Sequence, residues 1–289
     1  MLVSDLDGTL FRKETGFAPS DLITLKKLGK SGIVRVIATG RNLVSLDRVL
    51  ARDFPVDYVI FSSGIGILDW KSRELIRCYG MSCKRVLDIQ NILENQRCNY
   101  MIHRPAPCNH WFSFRMRAAE KTDFQRRVIH YREFSALMKG SAVWSGGNAS
   151  QLVVVSSPRE RRMNHLRNML VSHCHFVRTT SPLDGKSLWM ELLPMGVSKA
   201  AGIRSLSALL GFTPDECVAI GNDYNDVDML RAVGKPRVTP DAPEELLAEF
   251  PVLPARSPGI LADAITAMDS VQAAESQSRE EGDMPQSLR

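Results

Sequence analysis

Apolar positions along the chain fall into two kinds of run. Leu2-Val3-Ser4, Ile33 to Ala38, Tyr58 to Phe61 and Cys217 to Ile220 are short and nearly continuous, as in strands buried on both faces. Each ends in small or polar residues: Asp5, Thr39-Gly40, Ser62-Ser63-Gly64 and Gly221-Asn222-Asp223. Between them lie helical spacings. Ser20-Asp21 opens one, with Leu22, Leu25 and Leu28 on a face and Gly32 closing it. Asn42 caps a second, expected to run to about Asp53. Ser198 caps a third that stops at Gly211, and Asn225 to Val233 forms a fourth. Pro243 to Glu249 and Pro258 to Met268 read as helices with proline near the first turn. Strands alternating with helices predict a parallel sheet covered on both faces.

The stretch from 77 to 186 reads differently. His110 to Arg117 alternates apolar and polar, and Gln151 to Val155 and His175 to Thr179 are further strand candidates. Helical stretches fall near 82–95, 121–139 and 158–172. The expected class is therefore α/β: a Rossmann-like core built from 1–76 and 187–269, with an inserted α+β unit at 77–186. Residues 270–289 are polar without periodicity and read as a disordered tail.

Composition narrows the class. With 289 residues, 44% hydrophobic and 24% charged, the chain can bury a full core. Its opening residues have no basic stretch before an apolar run, and no run reaches the roughly 18 apolar residues of a membrane helix. No membrane association is expected, and a cytoplasmic location follows. Six cysteines lack a C-x-x-C pair, which excludes a zinc knuckle or redox motif of that spacing. Net charge is +5, with Arg126, Arg127, Arg132, Arg159, Arg161, Arg162 and Arg167 in the middle segment. No aromatic stacking pattern accompanies them, so they read as solvated helix faces and no nucleic-acid partner is expected. His173-Cys174-His175 would place two histidines on one face of a strand, which is too few ligands for a metal site. Trp111, Trp144 and Trp189 read as packing residues.

The chemistry lies at the strand ends. Asp5 follows a buried strand, at the edge where open α/β sheets bind ligands. Asp7 lies two residues on, and Gly8 permits the turn that lets both face one site. Such a pair can hold a hard cation or divide the work of nucleophile and acid/base. Thr39 offers a hydroxyl at the second strand end, with free backbone N–H groups beside it for phosphate. Lys199 stands in the first turn of a helix, where the dipole disfavours a cation, so another purpose is implied. Asn222, Asp223 and Asp226 gather acidic and amide oxygens at the last strand end, an arrangement that a cation would stabilise or a helix cap would use.

Four motifs in this order, D-L-D-G-T-L, A-T-G-R, G-V-S-K and G-N-D-Y-N-D, resemble the haloacid dehalogenase superfamily of phosphohydrolases. The position of the insert resembles its Cof-type branch. The resemblance covers about 1–76 and 187–268. It implies a magnesium-dependent phosphatase acting on a small phosphomonoester, such as a sugar phosphate or phosphorylated cofactor, through an aspartyl phosphate on Asp5. Asp7 would be the general acid/base. Thr39, Gly40, Arg41 and Lys199 would bind the phosphoryl group or substrate. Mg²⁺ would be held by Asp5, Asp7 and the Asn222, Asp223 and Asp226 motif. Asn222 stands where the branch usually has an aspartate, and Ser62-Ser63-Gly64 where it often has N-G-A. A phosphosugar mutase or a non-catalytic phosphate-binding module are the alternatives. Either a monomer or a homodimer is expected.

Overall fold

The computed structural model describes residues 1–117, 123–156, 160–181, 187–254 and 259–261. Among them a seven-stranded sheet runs in the order Lys235–Val238, Val218–Gly221, Leu2–Ser4, Arg35–Ala38, Tyr58–Phe61, Gly66–Asp69, Leu75–Cys78. The first five are parallel, and the last two join as antiparallel strands. Successive side chains of the central strands go to opposite layers, which explains the unbroken apolar runs. Leu2, Ile37, Val59 and Ile220 enter one core with Leu25, Leu28 and Leu46 from the helices Pro19–Lys30 and Leu43–Asp47. Val3, Val36, Ile60 and Ala219 enter the other with Ile203, Leu206, Met229 and Leu246. Those come from the helices Lys199–Leu210, Val227–Arg231 and Glu244–Glu249. This is the Rossmann-like arrangement expected.

The helix caps follow the sequence in part. Ser198 Oγ accepts from the Ala201 N–H, and Gly211 ends that helix at φ +79°. Asn42 accepts from the Ser45 N–H, but its helix stops at Asp47, well before Asp53. The first helix starts at Pro19 without a side-chain cap. Asp21 is instead buried and accepts the N–H of Ile260 and of Leu261, tying the far end of the chain to this helix. The rest of the helix expected over 258–268 and the tail at 270–289 lie outside the described residues.

A second sheet has six strands, in the order Ser135–Leu137, Phe112–Arg115, Tyr100–His103, Leu152–Ser156, Leu188–Leu193, His175–Thr180. All neighbours are antiparallel except the outermost pair, Ser135–Leu137 with Phe112–Arg115. One face, with Tyr100, Ile102, Leu152, Val154, Met190 and Leu192, is covered by the helices Cys83–Asn95 and Glu160–Leu170. The other carries Met101, Phe112, Phe114 and Val153, packed against Phe124 of the helix Asp123–His130.

The boundary expected at residue 187 is moved by this pairing. Leu188–Leu193 does not belong to the parallel sheet: it lies between Leu152–Ser156 and His175–Thr180. Its residues Trp189 to Leu193 are buried: Met190 and Leu192 pack in the cluster under the helices Cys83–Asn95 and Glu160–Leu170, and Trp189 meets the helix Asp123–His130 on the other face. At the other boundary, Leu75–Cys78 carries the first sheet two residues past 76. Ile65, Val177, Leu193 and Val197 form a small apolar cluster where the two sheets meet. Among the described residues no helix is long and apolar enough to cross a membrane.

Candidate active site

Because the chain leaves Leu2–Ser4 for strands on both sides of it, the carboxyl ends of the central strands converge. Asp5 N–H donates to Ile220 O at 2.8 Å, so the nucleophile candidate is held by the neighbouring strand to its last residue. Gly8 then turns the chain at φ +82°. A Cβ there would stand 2.3 Å from Asn222 Nδ2, so glycine is required both by conformation and by the approach of the fourth motif. Gly64, at φ +101°, likewise admits the Ser198 carbonyl to 2.1 Å of where a Cβ would be. That contact seats the Lys199 helix against the Ser62–Gly64 turn.

Lys199 is the centre of the site. Its Nζ lies 2.5 Å from Asp5 Oδ1 and 2.6 Å from Asp226 Oδ1, and all three residues are buried. Burial works to lower the lysine's pKa, but Asp226 and Asp5 outweigh it and hold the ammonium above its usual range. Burial, then repulsion from Asp226, pushes the Asp5 carboxyl well above the usual range, with Lys199 opposing. The second oxygen of Asp226 accepts from the N–H groups of Asn222 (2.8 Å) and Asp223 (3.2 Å). Asp226 thus folds the fourth motif around Lys199.

Asp7 and Arg41 form a fork, with Nε and Nη2 of the guanidinium each 2.7 Å from a carboxylate oxygen. Arg41 also donates to Ser45 and stacks 5.5 Å from the Phe11 ring. Phe11 belongs to a hairpin of Phe11–Arg12 and Gly16–Phe17 that the sequence reading missed; only its Gly16 hinted at it. Thr39 is buried at the end of its strand, and its Oγ1 accepts the Arg41 N–H at 3.1 Å. Gly40 follows it, against Ser63.

The structure therefore brings Asp5, Lys199 and Asp226 into direct contact, and joins Asp7, Thr39 and Arg41 in a second group. The oxygens expected to hold a metal are partly committed. Asp226 has one carboxylate oxygen on Lys199 and the other on two backbone N–H groups, which makes it the most heavily engaged of the set. Asn222 Oδ1 accepts from Thr9 Oγ1 at 3.1 Å, and Asp223 Oδ1 accepts the Tyr224 N–H at 2.8 Å. Among the described residues no three His, Cys, Asp or Glu side chains gather at a metal site, His173-Cys174-His175 included. The remaining donors are all oxygens: one Asp5 carboxylate, the Asp7 carbonyl, and the Asn222 and Asp223 side chains. That set suits Mg²⁺, which binds through one or two carboxylates and keeps waters and substrate phosphate as further ligands.

Arg127 was read as part of a solvated face, and the structure turns it inward, 4.2 Å over the Trp189 ring. Glu191, absent from the sequence reading, is buried and accepts from Ser63 Oγ at 2.6 Å. A carboxylate inside an otherwise apolar strand was the signal that could have found it.

The model of the haloacid dehalogenase-like hydrolases matches residues 2–250. An HMP-PP phosphatase of Klebsiella pneumoniae (strain 342) is 26% identical over 255 residues, covering 86% of this chain and 87% of that protein. One from Yersinia pseudotuberculosis serotype I (strain IP32953) is 25% identical over 261 residues, covering 86% of each. Among solved structures, a phosphatase of the haloalkanoate (HAD) superfamily from Bacteroides thetaiotaomicron superposes with a TM-score of 0.69 at 21% identity, covering 87% of both chains. A HAD subclass IIB sugar phosphatase superposes at 0.66 and 19% identity, covering 87% of this chain and 91% of the other. The chain belongs to the haloacid dehalogenase-like hydrolases. Within them it is a phosphatase of the Cof-type branch.

Proposed function

We propose that the chain hydrolyses a small phosphomonoester in two steps through an aspartyl phosphate on Asp5. The observation that carries this is the buried Lys199 ammonium held between Asp5 and Asp226. It fixes one Asp5 oxygen and presents a cation where a phosphoryl group would meet the other. Phosphoryl transfer depends mostly on such positioning and charge stabilisation.

In the first step an Asp5 oxygen bonds to phosphorus while the ester oxygen leaves as an alcohol, taking a proton from Asp7. In the second, water attacks the same phosphorus, Asp7 accepts its proton, and the Asp5–phosphorus bond breaks to release phosphate. The Arg41 fork holds Asp7 as the carboxylate that accepts the proton in the second step; before the first step one Asp7 oxygen leaves the fork and takes up a proton from water. Thr39, Gly40 and Lys199 hold the transferring group. Asp5, the Asp7 carbonyl and Asn222 with Asp223 would hold Mg²⁺, which when bound would offset phosphoryl charge.

The second sheet and its helices act as a cap over this edge, excluding water and contacting the leaving group. Sugar phosphates, named in a structural relative, are the first esters to test; HMP-PP, named in the curated relatives, is tested beside them, with a phosphate in place of the alcohol as leaving group. The test is phosphate release with Mg²⁺ and with a chelator, in wild type and Asp5→Asn. Turnover that needs Mg²⁺ and vanishes in Asp5→Asn is expected; equal turnover in Asp5→Asn would overturn the reading.

A further inference from the structure

The outermost strand of the second sheet, His175–Thr180, runs beside the fourth motif. Within its sheet it pairs with Leu188–Leu193, and the turn Tyr224–Asp226 of the other sheet lies close to it. Val177 of this strand packs with Ile65, Leu193 and Val197 where the two sheets meet. At the next residue, the guanidinium of Arg178 stands 4.5 Å over the Tyr224 ring. Arg178 is exposed and Tyr224 is half-buried.

Tyr224 joins that contact to the catalytic edge. Its ring packs against the core that holds Val3 and Met229, and its hydroxyl donates to Glu245 at 2.9 Å. Its backbone N–H donates to Asp223 Oδ1 at 2.8 Å. The turn then closes on itself. The Asp226 N–H donates to Asp223 O at 2.9 Å, and Asp226 Oδ2 accepts from the N–H groups of Asn222 and Asp223. A displacement of the Tyr224 ring therefore reaches Asp223, one of the oxygens assigned to Mg²⁺.

Charge alone gives Arg178 no reason to stand here. A cation beside a motif that would hold a dication opposes metal binding through space. What the guanidinium supplies is attraction to the face of the ring, which holds Tyr224 from the side of the second sheet while Glu245 holds it from the first.

We propose that Arg178 and Tyr224 are positioning residues that couple the seating of the second sheet to Mg²⁺ binding at the fourth motif. The inference rests on the Mg²⁺-dependent reading above and adds a control on that same site. Coupling between two binding events is reciprocal: a seated sheet tightens Mg²⁺, and Mg²⁺ holds the sheet in its seat.

The test is calorimetry with Mg²⁺ alone, without substrate, on the full chain. Arg178→Gln and Tyr224→Leu should each raise the Mg²⁺ dissociation constant about threefold, the size an exposed cation–π contact allows. Loss of a cation would by itself favour a nearby dication, so weaker binding reports positioning and not charge. Arg178→Lys keeps a cation over the ring and should recover most of the affinity. In the double variant the loss should be no greater than in Tyr224→Leu alone. Hydrogen exchange reads the reciprocal effect: Mg²⁺ should slow the amides of 175–180 about threefold in wild type and leave them unchanged in Arg178→Gln. Unchanged or tighter Mg²⁺ binding in Arg178→Gln, no recovery in Arg178→Lys, or losses that add in the double variant overturns the proposal. Wild type that binds Mg²⁺ no better than its variants sinks this proposal alone; wild type that takes up no Mg²⁺ sinks the metal assignment with it.

Discussion

Lys199 Nζ sits between the Asp5 and Asp226 carboxylates, 2.5 Å from one and 2.6 Å from the other, with no side chain of the three exposed. One cation thus serves two acids that would otherwise repel each other in a low-dielectric pocket. Removing it leaves two buried charges without a partner. Lys199→Met is expected to lose about 3–5 kcal/mol of folding stability along with activity. Adding Asp226→Asn should restore part of the stability and none of the activity. Urea denaturation of the two variants checks this; equal stability of Lys199→Met and wild type would show that the triad is not coupled.

The Arg41–Asp7 fork leads to a different expectation. Both side chains are partly exposed, at 24% and 43%, so breaking it should change stability by less than about 1 kcal/mol. Its value is geometric. Arg41→Lys keeps the charge and loses the fork. It should lower kcat by about tenfold or more while the thermal midpoint stays put. Unchanged kcat would remove Arg41 from the positioning of Asp7.

Asn222 places a neutral amide among the oxygens assigned to Mg²⁺, and charge count is one of the properties that tune metal affinity. Asn222→Asp should therefore lower the half-saturating Mg²⁺ concentration by about an order of magnitude. Titrating Mg²⁺ into the activity assay, or calorimetry without substrate, measures it. A higher requirement in the variant would place the cation elsewhere.

His103 gives a pH dependence with a fixed sign. Its ring has a pKa of about 3 in the folded chain, against an ordinary 6.5, chiefly through burial. Between those values the unfolded chain takes up a proton that the folded chain refuses. Stability is fully present above pH 6.5 and is lost as pH falls toward 3, by up to about 1.4 kcal/mol per pH unit. His103→Gln should show a shallower fall across that window in denaturant midpoints. Parallel slopes would contradict the neutral buried ring.

Much of this site could be read from the chain because it lies at strand ends. Continuous apolar runs marked the central strands, and Asp5, Thr39 and Asn222 are simply the residues that follow them. The Ser198 cap and Gly211 stop were equally local signals. What escaped was tertiary. Arg41 and Asp7 are 34 residues apart, and nothing local says that they pair. Lys235–Val238 contains Pro236, which argues against a central strand; the structure puts it at the sheet edge, where proline is tolerated. Leu188–Leu193 falls inside the 187–269 stretch expected to be core, and only its pairing partners assign it to the second sheet. Arg127 looked solvated because helix periodicity cannot show that Trp189 lies beneath it.

The most direct test of the central claim is the mass of the Asp5 peptide after acid quenching of the enzyme during turnover with Mg²⁺ and a hydrolysed ester. The account predicts the mass of one added phosphoryl group on the peptide carrying Asp5, absent from Asp5→Asn and lost on brief treatment with hydroxylamine. A phosphoryl group found on another residue would contradict it.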